Sequence, residues 1–293
     1  MHSRGWRSVY CMPARTAFRG SAPIDLSDRL RQVFQWAFGC IEILLSSHCP
    51  IWYGYGGQLK WLERVAYINT TISPLTSIPL LIYCTLPAVL LLTRKFIIPV
   101  VSNEASIWAI LLFSSILSCV VLESRWSAVR IQEWWRNQQF WVIAGVSSHL
   151  FALFQGFIKV LMGLKISSSG TTMKYVNDDA GELYRFKLTS LLVLPTTLIL
   201  INLWAMVAAM FLAASSGYWS WVLLFCRLFF AFCVVVHLHP FLKGLFGLKR
   251  RIPTVVVIWS LLVASLFALF WIRVSPFTTN FHGPDPKVCG IAC

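Results

Sequence analysis

The chain alternates short amphipathic stretches with long runs that carry no charge. A helical pattern opens with Ser27 as N-cap and Asp28 in the first turn, and the periodic run follows from Leu30. On that helix Val33, Phe34, Ala37, Phe38 and Ile41 supply apolar surface. Gln32, Gln35 and Trp36 fall at i, i+3 and i+4 and so share one face. Such a helix suits the plane of a membrane surface rather than a crossing. Upstream, Ser8-Val9-Tyr10-Cys11 is expected as a short strand. Residues 48–60 form an aromatic, glycine-rich loop, and residues 61–72 resume an amphipathic pattern. Uncharged runs then cover residues 73–93, 105–122, 188–226 and 252–272. One span needs about 20 residues, so the third run holds two. Ala213-Ala214-Ser215-Ser216-Gly217 divides it, and Arg227 interrupts the second span, which continues to Val236.

One further stretch, residues 140–158, has no acid or base but contains Ser147, Ser148, His149 and Gln155 and is followed by Lys159. Charge bias decides its placement. With residues 1–72 in the cytosol, a crossing at 140–158 would put Lys243, Lys249, Arg250 and Arg251 outside. Without that crossing these residues are inside together with Arg125, Arg130 and Arg136, as the positive-inside rule prefers. The expectation is therefore about five spans, with 124–160 at the cytosolic interface, 163–187 in the cytosol and the C-terminal tail outside.

Composition agrees. Of the 293 residues 57% are hydrophobic and only 12% charged, against about 25% charged in a soluble domain. The fourteen Trp residues suit aromatic belts at headgroup level. A formal charge of +14 would suggest nucleic acid on a soluble protein. Here the basic residues border apolar runs, so anionic lipid accounts for them and no nucleic-acid role is expected. The nine cysteines include no Cys-x-x-Cys pair, and no metal site is read from them or from His149 and His237.

The motifs carry a resemblance. Gln32-Val33-Phe34-Gln35-Trp36 resembles the Gln-x-x-Arg-Trp motif of processive family-2 glycosyltransferases. Its neighbours Gly5-Trp6-Arg7-Ser8-Val9-Tyr10-Cys11, Gly20-Ser21-Ala22-Pro23-Ile24 and Pro50-Ile51-Trp52-Tyr53-Gly54-Tyr55-Gly56-Gly57 are similar to plant cellulose synthases. So are Glu133-Trp134-Trp135-Arg136-Asn137, His149-Leu150-Phe151-Ala152, Pro240-Phe241-Leu242-Lys243-Gly244 and the tail to Cys289-Gly290-Ile291-Ala292-Cys293. The likeness runs along nearly the whole chain and is to that family's C-terminal membrane portion.

The resemblance implies a mainly α, polytopic helical membrane bundle with interfacial helices and a small remnant of an upstream α/β glycosyltransferase domain. On this division residues 1–31 are the remnant and 32–72 the interfacial motif region. Residues 73–275 are the channel region with a cytosolic gating loop at 163–187, and 276–293 are an extracellular tail. The implied activity is transfer of glucose from UDP-glucose to a β-1,4-glucan that leaves through the channel, in the plasma membrane after passage through the Golgi. Implied partners are membrane lipid and other synthase subunits in homo- or hetero-oligomers. Gln32 would help hold the donor diphosphate and Trp36 would stack on the acceptor's terminal sugar. A simple interfacial anchor is the alternative for Trp36, as a solvated helix residue is for Gln32. Arg227 is a channel candidate or a structural pairing residue.

Two departures bear on activity. Gln35 stands where the motif has Arg, and a neutral amide cannot replace a cationic fork on a diphosphate. The gating loop's Phe-x-Val-Thr-x-Lys aligns with Ser169-Gly170-Thr171-Thr172-Met173-Lys174, keeping Thr172 and Lys174 but losing Phe and Val. Lys174 reads either as a contact to UDP or as a solvated loop lysine. The family's Mg²⁺ or Mn²⁺ ligands and its Thr-Glu-Asp base have no counterpart in this sequence, so the isolated chain is expected to be inactive. The alternative is a non-catalytic membrane subunit or a pseudogene product; a transporter is weaker, because no internal repeat is visible. Reading the native transcript upstream of the Met1 codon tests the first option. The expected result is an in-frame continuation into the aspartate motifs, and a transcript that begins at Met1 would leave only the alternatives.

Overall fold

In a computed structural model the described residues are 7–9, 11–12, 14–15, 26–47, 49–53, 60–93, 104–162, 190–215, 221–247 and 251–274. They form α1 (Leu26–Leu44), α2 (Pro50–Tyr53), α3 (Trp61–Ile72), α4 (Ser77–Thr93), α5 (Glu104–Trp126) and α6 (Ile131–Ala144). After these come α7 (Leu150–Met162), α8 (Val193–Ser215), α9 (Trp221–His237), α10 (His239–Phe246) and α11 (Thr254–Val274). Among the described residues there is no strand. The expected strand at Ser8-Val9-Tyr10-Cys11 is not formed: Ser8, Val9 and Cys11 are exposed and belong to no regular element, and Tyr10 lies outside the described residues. A strand needs a partner for its ladder, and none is present among the described residues.

The hydrophobic bundle is built around α8, which packs on α4, α9 and α11. Its core includes Leu80, Cys84, Leu198, Ile199, Val234, Leu238, Phe241 and Val256. A second layer consists of α1, α3 and the α6–α7 rod, which a one-turn π-helix at Gly145–His149 joins into one continuous helix. Gly145 lets this rod press against α4, since a Cβ there would overlap Leu80 Cδ1. Four stretches are long and apolar enough to cross a membrane: Trp61–Thr93, Ile131–Met162, Ser190–Phe211 and Thr254–Trp271. Counting the bent pair Leu228–His237 and His239–Phe246 as one span makes five. The total agrees with the expected number, but the membership differs. Ile131–Met162, which overlaps the 124–160 stretch assigned to the interface by the charge argument, satisfies the length and composition of a span, whereas the uncharged run at 105–122 is not among these stretches. That run falls within α5, and Ile107, Leu111, Phe113, Leu117 and Val121 on it are exposed.

Side chains tie the helices together within the apolar layers. Pro87 lies inside α4 and removes one donor from it. On the preceding turn the fully buried Asn202 of α8 donates from Nδ2 to the Cys84 carbonyl at 2.8 Å and to its own Leu198 carbonyl at 2.8 Å. Ser260 Oγ donates to the Val193 carbonyl at 3.1 Å and ties α11 to the start of α8. Where α9 turns through 77° into α10, Gln139 Nε2 of α6 donates to the Val236 carbonyl at 3.0 Å. His237 Nδ1 lies 2.8 Å from the Cys233 carbonyl and 3.2 Å from the Tyr83 hydroxyl, and its ring is 5.1 Å from that of Trp135. Asn202→Ala should destabilise the bundle by about 1–2 kcal/mol, from a lost buried interhelical hydrogen bond and a small void. Reversible unfolding in mixed micelles measures this, and an unchanged midpoint would contradict the tie to Cys84.

Candidate functional site

The helix that carries the motif is α1, and its sequence sets two faces. Leu26, Ser27, Leu30, Ala37, Phe38 and Ile41 are buried, with Val33 and Phe34 packed partly against the core. Ser27 is not the N-cap expected for it: the helix already includes Leu26, and both residues are buried in its first turn. Ser27 lies within the helix, and the cap position falls outside the described residues. The side of α1 away from the core holds Gln32, Gln35 and Trp36. Gln32 is half-buried, Gln35 is exposed and Trp36 is 64% exposed. Gln32, Trp36, Gly39 and Ile43 recur at i, i+4, i+7 and i+11 and form one row along the helix.

What holds that row in place is the α6–α7 rod, which runs parallel to α1. Four contacts follow one another along the pair. The Arg29 guanidinium sits 4.0 Å from the centre of the Phe140 ring. The buried Ser148 hydroxyl donates to the Leu30 carbonyl at 2.7 Å. Gly156 lies against Ile41, where a Cβ would overlap Ile41 Cγ2. The Lys159 ammonium pairs with Glu42 and lies 5.4 Å from the centre of the Phe38 ring. The π-helix displaces the rod's register so that Ser147 bonds its own turn through Ile143 while Ser148 reaches across to α1. On the other flank α3 is anchored by Arg64, whose Nη2 donates to the Ile51 carbonyl at 2.6 Å, holding α2 against it.

These positioning residues were visible in the sequence only as polar interruptions of an apolar run. Ser148 and Lys159 complicated the reading of 140–158 as a span, and Gly156 carried no mark of its own. Thr172 and Lys174 lie outside the described residues, as does the whole gating loop at 163–187. Arg227 lies on α9, but its side chain is outside the described set. The structure therefore brings Gln32, Gln35 and Trp36 together and leaves the other candidates unplaced relative to them.

The chemistry offered by this face is binding rather than covalent or acid–base work. It presents two amides and an indole. Burial pushes the neighbouring Cys40 thiol up from its ordinary value, which keeps it neutral and a poor nucleophile at neutral pH. Among the described residues no three His, Cys, Asp or Glu side chains come together. A divalent cation has no ligand set there, and no step is routed through one.

A polytopic helical membrane protein with an amphipathic motif helix docked on its bundle is the class that fold and site define. Residues 1–288 match the family model for cellulose synthase. The chain is 63% identical to a probable cellulose synthase A catalytic subunit 8 (UDP-forming) of Oryza sativa subsp. japonica, with all of this chain and 27% of that protein aligned. It is 61% identical to a cellulose synthase A catalytic subunit 3 (UDP-forming) of Arabidopsis thaliana, covering 28% of it, and 58% identical to subunit 4 of the same plant, also covering 28%. The chain belongs to the cellulose synthase family. It spans little more than a quarter of the length of the relatives it matches.

Lys159→Glu should loosen α1 by reversing one end of its ion pair with Glu42, and Glu42→Lys in the same chain should restore it. The two side chains are 24% and 37% exposed, so solvent screens the pair and the expected effect is about 1 kcal/mol or less. Proteolysis of α1 in nanodiscs checks this: the single variant should be cut faster and the swapped pair at the original rate.

Proposed function

We propose that this chain is the membrane and channel part of a UDP-glucose-dependent β-1,4-glucan synthase, and that α1 is its substrate-contacting helix. The carrying observation is that the rod of residues 131–162 clamps α1 with the Gln32–Trp36 face turned outward. Family membership and the relatives' names support the reaction class. In this reading the Trp36 indole stacks on the apolar face of the acceptor's terminal glucose. It fixes register without a tight grip, as a moving polymer requires. The Gln32 amide donates to a diphosphate oxygen of the donor. Gln35, in place of Arg, supplies a hydrogen bond but no charge, so the leaving diphosphate is held more weakly. Thr172 and Lys174 serve as the remnant of the lid over UDP, and Arg227 lines the glucan path.

Proton removal from the acceptor hydroxyl and binding of Mg²⁺ or Mn²⁺ need carboxylates that the Gln32–Trp36 face of α1 does not provide. These residues therefore bind, orient and conduct. The topology that fits is a cytosolic motif region and gating loop with an extracellular tail at 276–293, in the plasma membrane. Oligomers with other synthase subunits complete the assembly. The departure at Gln35 favours one second reading, a subunit that packs with active synthases without transferring sugar.

The test replaces the matching C-terminal part of the rice subunit with this chain and measures UDP-glucose-dependent glucan in reconstituted membranes. Glucan should form, and Trp36→Ala should reduce it by about ten-fold or more through lost acceptor positioning. Gln35→Arg should raise kcat/KM by about 10- to 100-fold, the worth of one charge-assisted bond. A hybrid that assembles yet makes no glucan even with Gln35→Arg would leave the non-catalytic subunit as the reading.

A further inference from the structure

We propose that Gly156 is a positioning residue: it sets how closely α1 lies on α7 and thereby the place at which Trp36 meets the acceptor. The inference deepens the reading above and rests on it. Two contacts define the geometry. At one end the Ser148 hydroxyl holds the Leu30 carbonyl at 2.7 Å, a buried pivot. At the other end Gly156 touches Ile41, which is fully buried and cannot turn into solvent. Any side chain at 156 meets Ile41 Cγ2 directly and also Ile41 Cβ at 3.2 Å, so α1 must lift away from α7 at that end.

A rigid helix that lifts at one end about a pivot at the other moves each residue in proportion to its distance from the pivot. With a rise of about 1.5 Å per residue, Gln32 lies roughly 3 Å from Leu30 along the axis, Trp36 roughly 9 Å and Ile41 roughly 16 Å. Lifting Ile41 by 1 Å therefore shifts Trp36 by about half an ångström and Gln32 by about a fifth. Gly156 separates two tasks carried by one helix: it controls the acceptor register at Trp36 and leaves the donor contact at Gln32 almost in place. A residue with only a structural role would not divide the two kinetically.

The test uses Gly156→Ala, the double variant Gly156→Ala/Ile41→Leu, which removes the branch carrying Cγ2, and Leu161→Ala on the exposed side of the same helix as a control. In the rice hybrid, Gly156→Ala should shorten the glucan by about three-fold or more, because a sub-ångström misplacement of a positioning group is costly. The KM for UDP-glucose should stay within about two-fold. The double variant should recover chain length, and Leu161→Ala should match the parent. A second readout needs no activity. In this chain labelled with fluorotryptophan and held in nanodiscs, the ¹⁹F resonance lost in Trp36→Phe should move in Gly156→Ala and return in the double variant. If that resonance is unmoved, or if chain length and KM change together without rescue, the positioning role is overturned. A resonance that moves and returns in a hybrid making no glucan keeps the lever but removes its role at an acceptor, and the failure then lies with the proposed function.

Discussion

Hydrocarbon offers no partner to a peptide group, and the rest of this structure follows from that constraint. Every backbone donor and acceptor in the apolar layers has to be satisfied inside the protein, so the chain passes through them as helices. A side chain can serve a carbonyl at an interruption of the ladder, as Gln139 does for Val236 at the bend between α9 and α10, and can tie two helices together, as Asn202 does through the Cys84 carbonyl of α4. Threonines and serines in the helices return their hydroxyls to carbonyls one turn back, as Thr196 and Thr197 do. The polar residues of the apolar runs are thus the joints of the bundle.

The same logic places the site. A π-turn at Gly145–His149 directs one serine to its own helix and the next to α1. Small residues then decide how closely the helices approach: Gly145 admits Leu80 and Gly156 admits Ile41. Close approach of backbones through small residues is the usual route to helix association where the surrounding solvent is as apolar as the side chains. An ion pair and two cation–ring contacts supplement the packing at the half-exposed edge of the pair. The outcome is a motif helix whose rotation is determined by its buried face, leaving an indole and two amides on the other.

Under the proposed function, that arrangement would serve a part of a synthase that grips a polymer lightly and lets it move. An aromatic ring gives a sugar a surface rather than a pocket, and neutral amides add direction without a strong electrostatic hold. Gln35 stands where the resembling motif has Arg, and under the same proposal the loss of that fixed charge would shift the balance further towards weak binding.

Much of the fold was legible in the residues alone. The uncharged runs determined which stretches are helices in the bundle, because their length and composition admit no other solution in lipid. The period of α1 determined which residues share the Gln32–Trp36 face, because 3.6 residues per turn leave no choice. The short strand and the N-cap at Ser27 failed for a common reason. Both depend on neighbours, and local propensity carries no information about whether a partner strand is there or whether Leu26 is buried. The placement of 131–162 shows the same limit: charge bias set it at the interface, whereas its length and apolar content also satisfy a crossing. Only the tertiary structure decided that Ser148, Gly156 and Lys159 meet Leu30, Ile41 and Glu42. Those pairs lie more than a hundred residues apart in the chain, and a hydroxyl, a missing Cβ and a single charge have no partner until two helices are laid side by side.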